Sequence, residues 1–90
     1  MKKQIVLKIY RKVQGVFFRD GSRRKARELN LSGFASNEPD GTVRVIAEGE
    51  EEDLKEFIKW CKNGSDHAKV EKMDIKWTEP TDEFDDFVIK

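Results

Sequence analysis

The apolar residues of this chain change their spacing along its length. In "QIVLKIY" they include every second position, Ile5, Leu7 and Ile9, the repeat of a strand that turns one face to a core. In "EEEDLKEFIKWCKNG" they fall at i, i+3, i+4 and i+7, as Leu54, Phe57, Ile58 and Cys61. That is the repeat of a helix with a single apolar stripe. A striped helix and a one-faced strand each need a partner layer, and 90 residues provide for one core. Helix packed on sheet is therefore the expected architecture.

The other segments fix the order. Residues from about Asp20 to Asn30 predict a first helix, with Ser22, Ala26 and Leu29 along one side. Asn30 stands at the stop, where a left-handed residue suits Asn or Gly. "SGFASNEP", "DG" and "TVRVIAEG" predict a hairpin turning at Asp40-Gly41, with Val43, Val45 and Ala47 facing inward. Acids crowd the first turn of the second helix and Gly64 ends it. In "KVEKMDIKW" Met73, Ile75 and Trp77 alternate while Val70 falls out of phase, which predicts a bulge near Glu71 or Lys72. "FDDFVIK" predicts a short last strand carrying Phe87 and Ile89. The order is β-α-β-β-α-β plus a terminal strand. This is an α+β, ferredoxin-like split βαβ sandwich, with an antiparallel sheet and two helices on one face. One domain is expected over residues 1–90. The fold alone names no function.

Charge narrows the partners. Lys plus Arg is 18 and Asp plus Glu is 18, so the chain is formally neutral. That argues against a nucleic acid or an anionic membrane recognised by bulk charge. Charged residues make up 40%, but the patterned apolar positions indicate a solvated surface around a core rather than disorder. The lone Cys61 excludes an internal disulfide and fits a reducing cytosol. No segment has the length of a signal peptide's apolar region or of a membrane span. The expectation is a soluble, cytoplasmic protein, with monomer as the default state.

The chemistry centres on "VQGVFFR", residues 13 to 19, between the first strand and the first helix. With the first strand running up and the helix down, the second strand runs up again. This turn and Asn37 then share one edge of the sheet. A helix of 11 residues spans roughly 16 Å and a six-residue strand about 20 Å, so the lengths match. Arg19 and Asn37, 18 positions apart, can face one pocket. Gly15 permits a tight backbone path, and the amides from Gly15 to Arg19 lead into a helix start, where successive N–H groups bind anions. Arg19 adds a planar fork suited to two phosphate oxygens. Phe17 and Phe18 would exclude water and strengthen those contacts. On the residues alone a second reading stays open: Arg19 in a salt bridge, with Phe17 or Phe18 as ordinary core.

"VQGVFFR" followed by "GFASNEPDGTV" resembles the paired signature of acylphosphatases, small hydrolases that cleave carboxyl-phosphate bonds. The likeness extends over almost the whole chain. It takes in "LNLSG" before the hairpin, the acidic start of the second helix, and "HAKVEKMDI" before the last strands. The resemblance implies that Arg19 binds the substrate phosphate together with the backbone amides of Gln14, Gly15, Val16, Phe17 and Phe18. It implies that Asn37 holds the attacking water, and that no metal or organic cofactor is needed. The implied partner is a small acyl phosphate, with inorganic phosphate or sulfate as competing anions. The chain departs from the family pattern at Arg11, where many members have glycine, at Asn30, another common glycine, and at Ser65, a common proline. "GFAS" replaces a more usual Gly-Trp-Val and polar residue, with Phe34 keeping the aromatic body. Arg11 lies near the pocket rim, where it can alter substrate preference.

So few groups suffice for this chemistry. An acyl phosphate expels a carboxylate whose acid has a pKa of about 4, so the leaving group needs no proton. Neutralising phosphoryl charge and placing water in line is electrostatics plus positioning. Other chemistries lack their residues. A cysteine phosphatase needs Cys-x5-Arg, but the sixth position after Cys61 is His67. One His and one Cys make no zinc site, and "EGEEED" lacks the spaced ligands of a calcium loop. Cys61 reads as core, His67 as a surface turn residue, and Asp20 as a helix-start charge rather than a general base. Two rivals remain. One is a non-catalytic acylphosphatase-like module, such as occurs inside larger hydrogenase-maturation carbamoyltransferases; a domain complete in 90 residues argues for a free-standing enzyme. The other is an RRM-like RNA binder, which needs exposed aromatics that "VRVIAEG" lacks on the corresponding strand.

Overall fold

The structure, a computed structural model, describes residues 1–11, 16–63 and 70–90, with the backbone alone for residues 11 and 16–18. The chain order is β1 (Lys2–Arg11), α1 (Val16–Glu28), β2 (Ser32–Asn37), β3 (Val43–Glu50), α2 (Glu51–Asn63), β4 (Val70–Thr78) and β5 (Phe87–Ile89). The strands form one sheet in the order β4-β1-β3-β2-β5. β1 lies between β3 and β4 and is antiparallel to both, and β2 is antiparallel to β3. This is the expected split βαβ arrangement, with one difference. The terminal strand β5 pairs parallel to β2, through Gly33–Phe87, Phe34–Val88 and Ala35–Ile89. Apolar alternation in three residues carries no direction, so the sheet is antiparallel except at that edge.

The alternating positions become the core. Ile5, Leu7, Ile9, Val43, Val45 and Ala47 are fully buried beneath Leu54, Phe57 and Cys61 of α2 and Ala26 of α1. Phe87 of β5 joins them, edge-on to Phe57 with ring centroids 5.9 Å apart. Each large apolar side chain so buried contributes ~1.5–3 kcal/mol relative to exposure, which is how two short helices stay on the sheet.

The punctuation falls where the residue types require it. Asn30 closes α1 with φ 58°, and Gly41 has φ 90° in the hairpin loop. Residues 38–42 form that loop, longer than a two-residue turn. The Gly41 N–H donates to the Glu38 carbonyl at 3.0 Å and the Glu38 N–H to the Thr42 carbonyl at 2.8 Å. Pro39 thus takes the position its fixed φ suits, and Asp40 accepts from the Thr42 N–H at 3.0 Å. Pairing of β1 with β4 slips between Tyr10–Lys72 and Arg11–Val70, which leaves Glu71 as the extra residue of a bulge. Met73, Ile75 and Trp77 keep their phase, but β4 is an edge strand, and Ile75 and Trp77 stay 37% and 42% exposed.

One element begins earlier than its periodicity indicates. α1 starts at Val16 rather than about Asp20 and ends at Glu28. Adjacent phenylalanines draw no single stripe, so the first turn has no periodic signal.

Candidate active site

Register fixes which ends of the strands meet. Ile9 pairs with Val43, and Val43 with Asn37. The outgoing end of β1 and the outgoing end of β2 therefore lie at one edge of the sheet, as the chain direction requires. Asn37 has the parity of Ala35, which is fully buried on the helix-covered face. It is exposed where that face runs out.

α1 brings its N-terminus to the same edge. Of the five positions read as a phosphate-binding loop, Gln14 and Gly15 lie outside the described residues, and Val16, Phe17 and Phe18 form the first turn of α1. The loop reading is corrected for those three: they are helix. Helical geometry leaves first-turn N–H groups without intrahelical acceptors, and the helix dipole favours an anion before them. Arg19 is the fourth residue of this helix. The departures at Arg11 and Ser65, and the readings of Gly64 and His67, concern side chains or residues outside those described.

The Arg19 side chain is half-buried. Its Nε is shielded from solvent and has no hydrogen-bond partner. Its Nη1 donates to the backbone carbonyl of Lys90 over a long 3.5 Å. The Lys90 N–H in turn donates to the Ala35 carbonyl at 2.9 Å. Ala35 stands two residues before Asn37, about 7 Å along a strand. Among the described residues no carboxylate forms an ion pair with Arg19. The salt-bridge reading of this arginine therefore finds no partner there. A buried guanidinium N–H without an acceptor is costly, and an anion at the helix start would supply the acceptor.

The neighbouring charges are engaged otherwise. Asp20 accepts from Arg23 at 2.5 Å and from Arg24 at 3.4 Å, so its charge is engaged within the helix. As the fifth residue of α1 it stands past the first turn and not at the helix start that was expected for it. Arg27 forks onto both oxygens of Asp86 at 3.2 and 2.9 Å. The N–H of Phe87 and this arginine hold the Asp86 carboxyl below the usual carboxylate range. Cys61 is fully buried on the α2 stripe, and burial pushes its thiol far up, so it is no nucleophile. Among the described residues no group of three or more His, Cys, Asp or Glu side chains is placed to hold a metal ion. No helix there is long and apolar enough to cross a membrane.

Sequence reasoning missed one charged residue of consequence, Glu48. It is 1% exposed, on the sheet face away from the helices. Its carboxylate accepts from the Gln4 side chain at 2.6 Å, the Thr81 N–H at 2.8 Å, the Thr81 hydroxyl at 2.7 Å and the Asp82 N–H at 3.0 Å. Residues 79–86 must cross the sheet between its two edge strands, and Glu48 fastens them there. That crossing also brings Phe84 edge-on to Phe34, with centroids 6.0 Å apart.

The chain is similar to known proteins along nearly its whole length. A family model described as Acylphosphatase matches residues 5–89. An acylphosphatase of Dehalococcoides mccartyi is 45% identical over 80 residues, which cover 88% of each chain. The crystal structure of acylphosphatase from Bacillus subtilis superposes with a TM-score of 0.92 at 32% identity, over 100% of this chain and 99% of that one. The fold also matches part of full-length HypF, at a TM-score of 0.89 and 27% identity, over 100% of this chain but 12% of the longer one.

Proposed function

This chain belongs to the acylphosphatase family, and we propose how its own residues carry out hydrolysis of the carboxyl–phosphate bond. Its substrate is a small acyl phosphate. Arg19 and the amides of Gln14, Gly15, Val16, Phe17 and Phe18 hold the phosphoryl group, and Asn37 directs a water molecule onto phosphorus. The water oxygen bonds to phosphorus as the bond to the acyl oxygen breaks. The carboxylate leaves with the electron pair of that bond, without protonation, because its acid has a pKa of about 4. An amide is too weak a base to take the water's proton, so the proton passes to a phosphoryl oxygen of the substrate. The products are a carboxylate and inorganic phosphate. No metal or organic cofactor enters this scheme, and phosphate or sulfate competes for the same donors.

The observation that carries the reading is the shielded, unpartnered Nε of Arg19 in the first turn of α1, at the sheet edge where β2 ends in Asn37. A match to 88% of the length of a relative named acylphosphatase favours the hydrolytic reading over a non-catalytic module. Full burial of the single cysteine is compatible with the cytoplasmic, monomeric state proposed here.

The test is turnover of a synthetic aryl acyl phosphate, with and without a chelator. Turnover should be insensitive to chelation. Arg19→Ala should lower kcat/KM by about 10²–10³, the usual cost of an oxyanion donor, and weaken competition by inorganic phosphate. Asn37→Ala should lower kcat with phosphate inhibition retained. If Asn37→Ala left kcat intact and raised KM instead, its assignment would be wrong.

A further inference from the structure

α1 carries five basic side chains, Arg19, Arg23, Arg24, Lys25 and Arg27, against two acidic ones, Asp20 and Glu28. Two of the basic residues have specific partners elsewhere: Lys25 faces Glu28 at 3.6 Å, and Arg27 is forked onto Asp86. Arg23 and Arg24 are different. Both reach back toward the helix N-terminus and converge on the one carboxylate of Asp20, Arg23 on Oδ1 and Arg24 on Oδ2.

The convergence sets their height. A helix rises about 1.5 Å per residue, so Asp20 stands at nearly the level of Arg19. The two guanidinium heads, rooted nearly a turn further on, are drawn back to the level of Asp20, the fifth residue of α1 and the neighbour of Arg19. Arg23 follows Arg19 by four residues, which makes the two neighbours on the helix surface, with Cβ atoms about 5–6 Å apart. Two cations share one anion, so the pairing leaves positive charge uncompensated next to the Arg19 guanidinium. Each guanidinium has five N–H donors, and a single contact to Asp20 is recorded for each. Arg24 is 80% exposed, so its remaining donors face solvent.

We propose that Arg23 and Arg24, positioned by Asp20, form a second anion subsite beside the phosphate position, selecting acyl phosphates whose acyl part carries an anionic group. The inference rests on the placement of the phosphoryl group at Arg19 given above. The subsite takes a carboxylate or a second phosphate, held by the planar forks that suit either. Asp20 is here a positioning residue. It prevents two long cationic side chains from spreading apart and lowers the entropy lost when a ligand anion arrives.

The experiment compares two synthetic aryl acyl phosphates that differ by one ring carboxylate distal to the acyl phosphate, each assayed over a range of ionic strength. The intact protein should favour the carboxylate-bearing substrate in kcat/KM by about fivefold at low salt, the scale of one solvent-exposed ion pair. Added salt should shrink that preference. Arg23→Gln with Arg24→Gln should bring the ratio of the two kcat/KM values to about one. Arg23→Lys with Arg24→Lys, which keeps the charge, should retain part of it. Asp20→Asn should lower the ratio by raising KM for the anionic substrate, with kcat on that substrate little altered. A ratio of one in the intact protein overturns the inference, as does a preference that survives the double glutamine substitution. In both cases acyl phosphate hydrolysis itself remains. Failure to hydrolyse either substrate instead overturns the assignment of the site on which the inference depends.

Discussion

Arg19 and Glu48 lie on opposite faces of the same sheet, and the contrast between them separates what residue identity reveals from what only the fold reveals. Arg19 could be singled out in the sequence as a proposed anion ligand because its neighbours in the chain, Gly15 and the helix start, suit an anion. Glu48 was not. In "TVRVIAEG" it alternates with core positions and reads as a solvent charge, and no local pattern announces that residues 79–86 will cover it. Burial pushes its carboxyl up in pKa, but the Thr81 and Asp82 N–H groups, the Thr81 hydroxyl and the Gln4 amide more than offset that. The net pKa lies below the ordinary value of glutamate. A carboxyl depressed in the folded state contributes stability that is fully present above its unfolded pKa and fades as pH falls through its folded one. Glu48→Gln keeps one acceptor oxygen and turns an amide donor toward other donors. It should cost about 1–3 kcal/mol at neutral pH, read from urea midpoints. The gap between the two proteins should close below about pH 4. A constant gap from neutral to acid pH would mean that the loss is packing rather than charge.

Among elements, the legible ones bury a continuous stripe. α2 was readable because Leu54, Phe57, Ile58 and Cys61 repeat at helical spacing and all four are buried; the bulge was readable because Val70 broke an otherwise regular alternation. The first turn of α1 and the direction of β5 were not, since neither two adjacent aromatics nor a three-residue strand carries a period. Strand β2 holds a constraint of another kind. Gly33 has φ 141°, and a Cβ there would lie 1.8 Å from the Ile46 carbonyl oxygen, on the backbone of the neighbouring strand. Neither strand can move aside without losing its ladder. Gly33→Ala should therefore destabilise the protein by about 3–5 kcal/mol, at the severe end for one substitution. Gly21→Ala is a milder case. The added carbon would meet the ring of Trp60 at 3.0 and 3.1 Å, and a half-buried side chain can shift where a backbone cannot. The two variants compared by thermal melting should fall in that order. Equal losses would remove the backbone clash as the cause.

At the scale of the molecule, net charge conceals its distribution. The formal charge is zero, yet α1 is basic, while residues 79–86 contribute Glu79, Asp82, Glu83, Asp85 and Asp86. Bulk neutrality argues against a polyanion held by charge alone, but it permits one small dianion to be drawn to one end of α1. On the proposed assignment such an anion binds the folded chain and not the unfolded one, so phosphate should stabilise the fold by mass action. At ten times its dissociation constant the gain is about 1.4 kcal/mol. A domain of this size moves its Tm by roughly 4–8 °C per kcal/mol, so the expected rise is about 6–11 °C. Sulfate should act in the same way, and chloride at matched ionic strength should not. Arg19→Ala should abolish the rise, because the orphaned Nε and the fork go with it; Asn37→Ala should keep it, because the role proposed for its carboxamide is toward water rather than phosphate. A phosphate-dependent rise that persisted in Arg19→Ala would place the anion elsewhere on the surface and separate α1 from the chemistry.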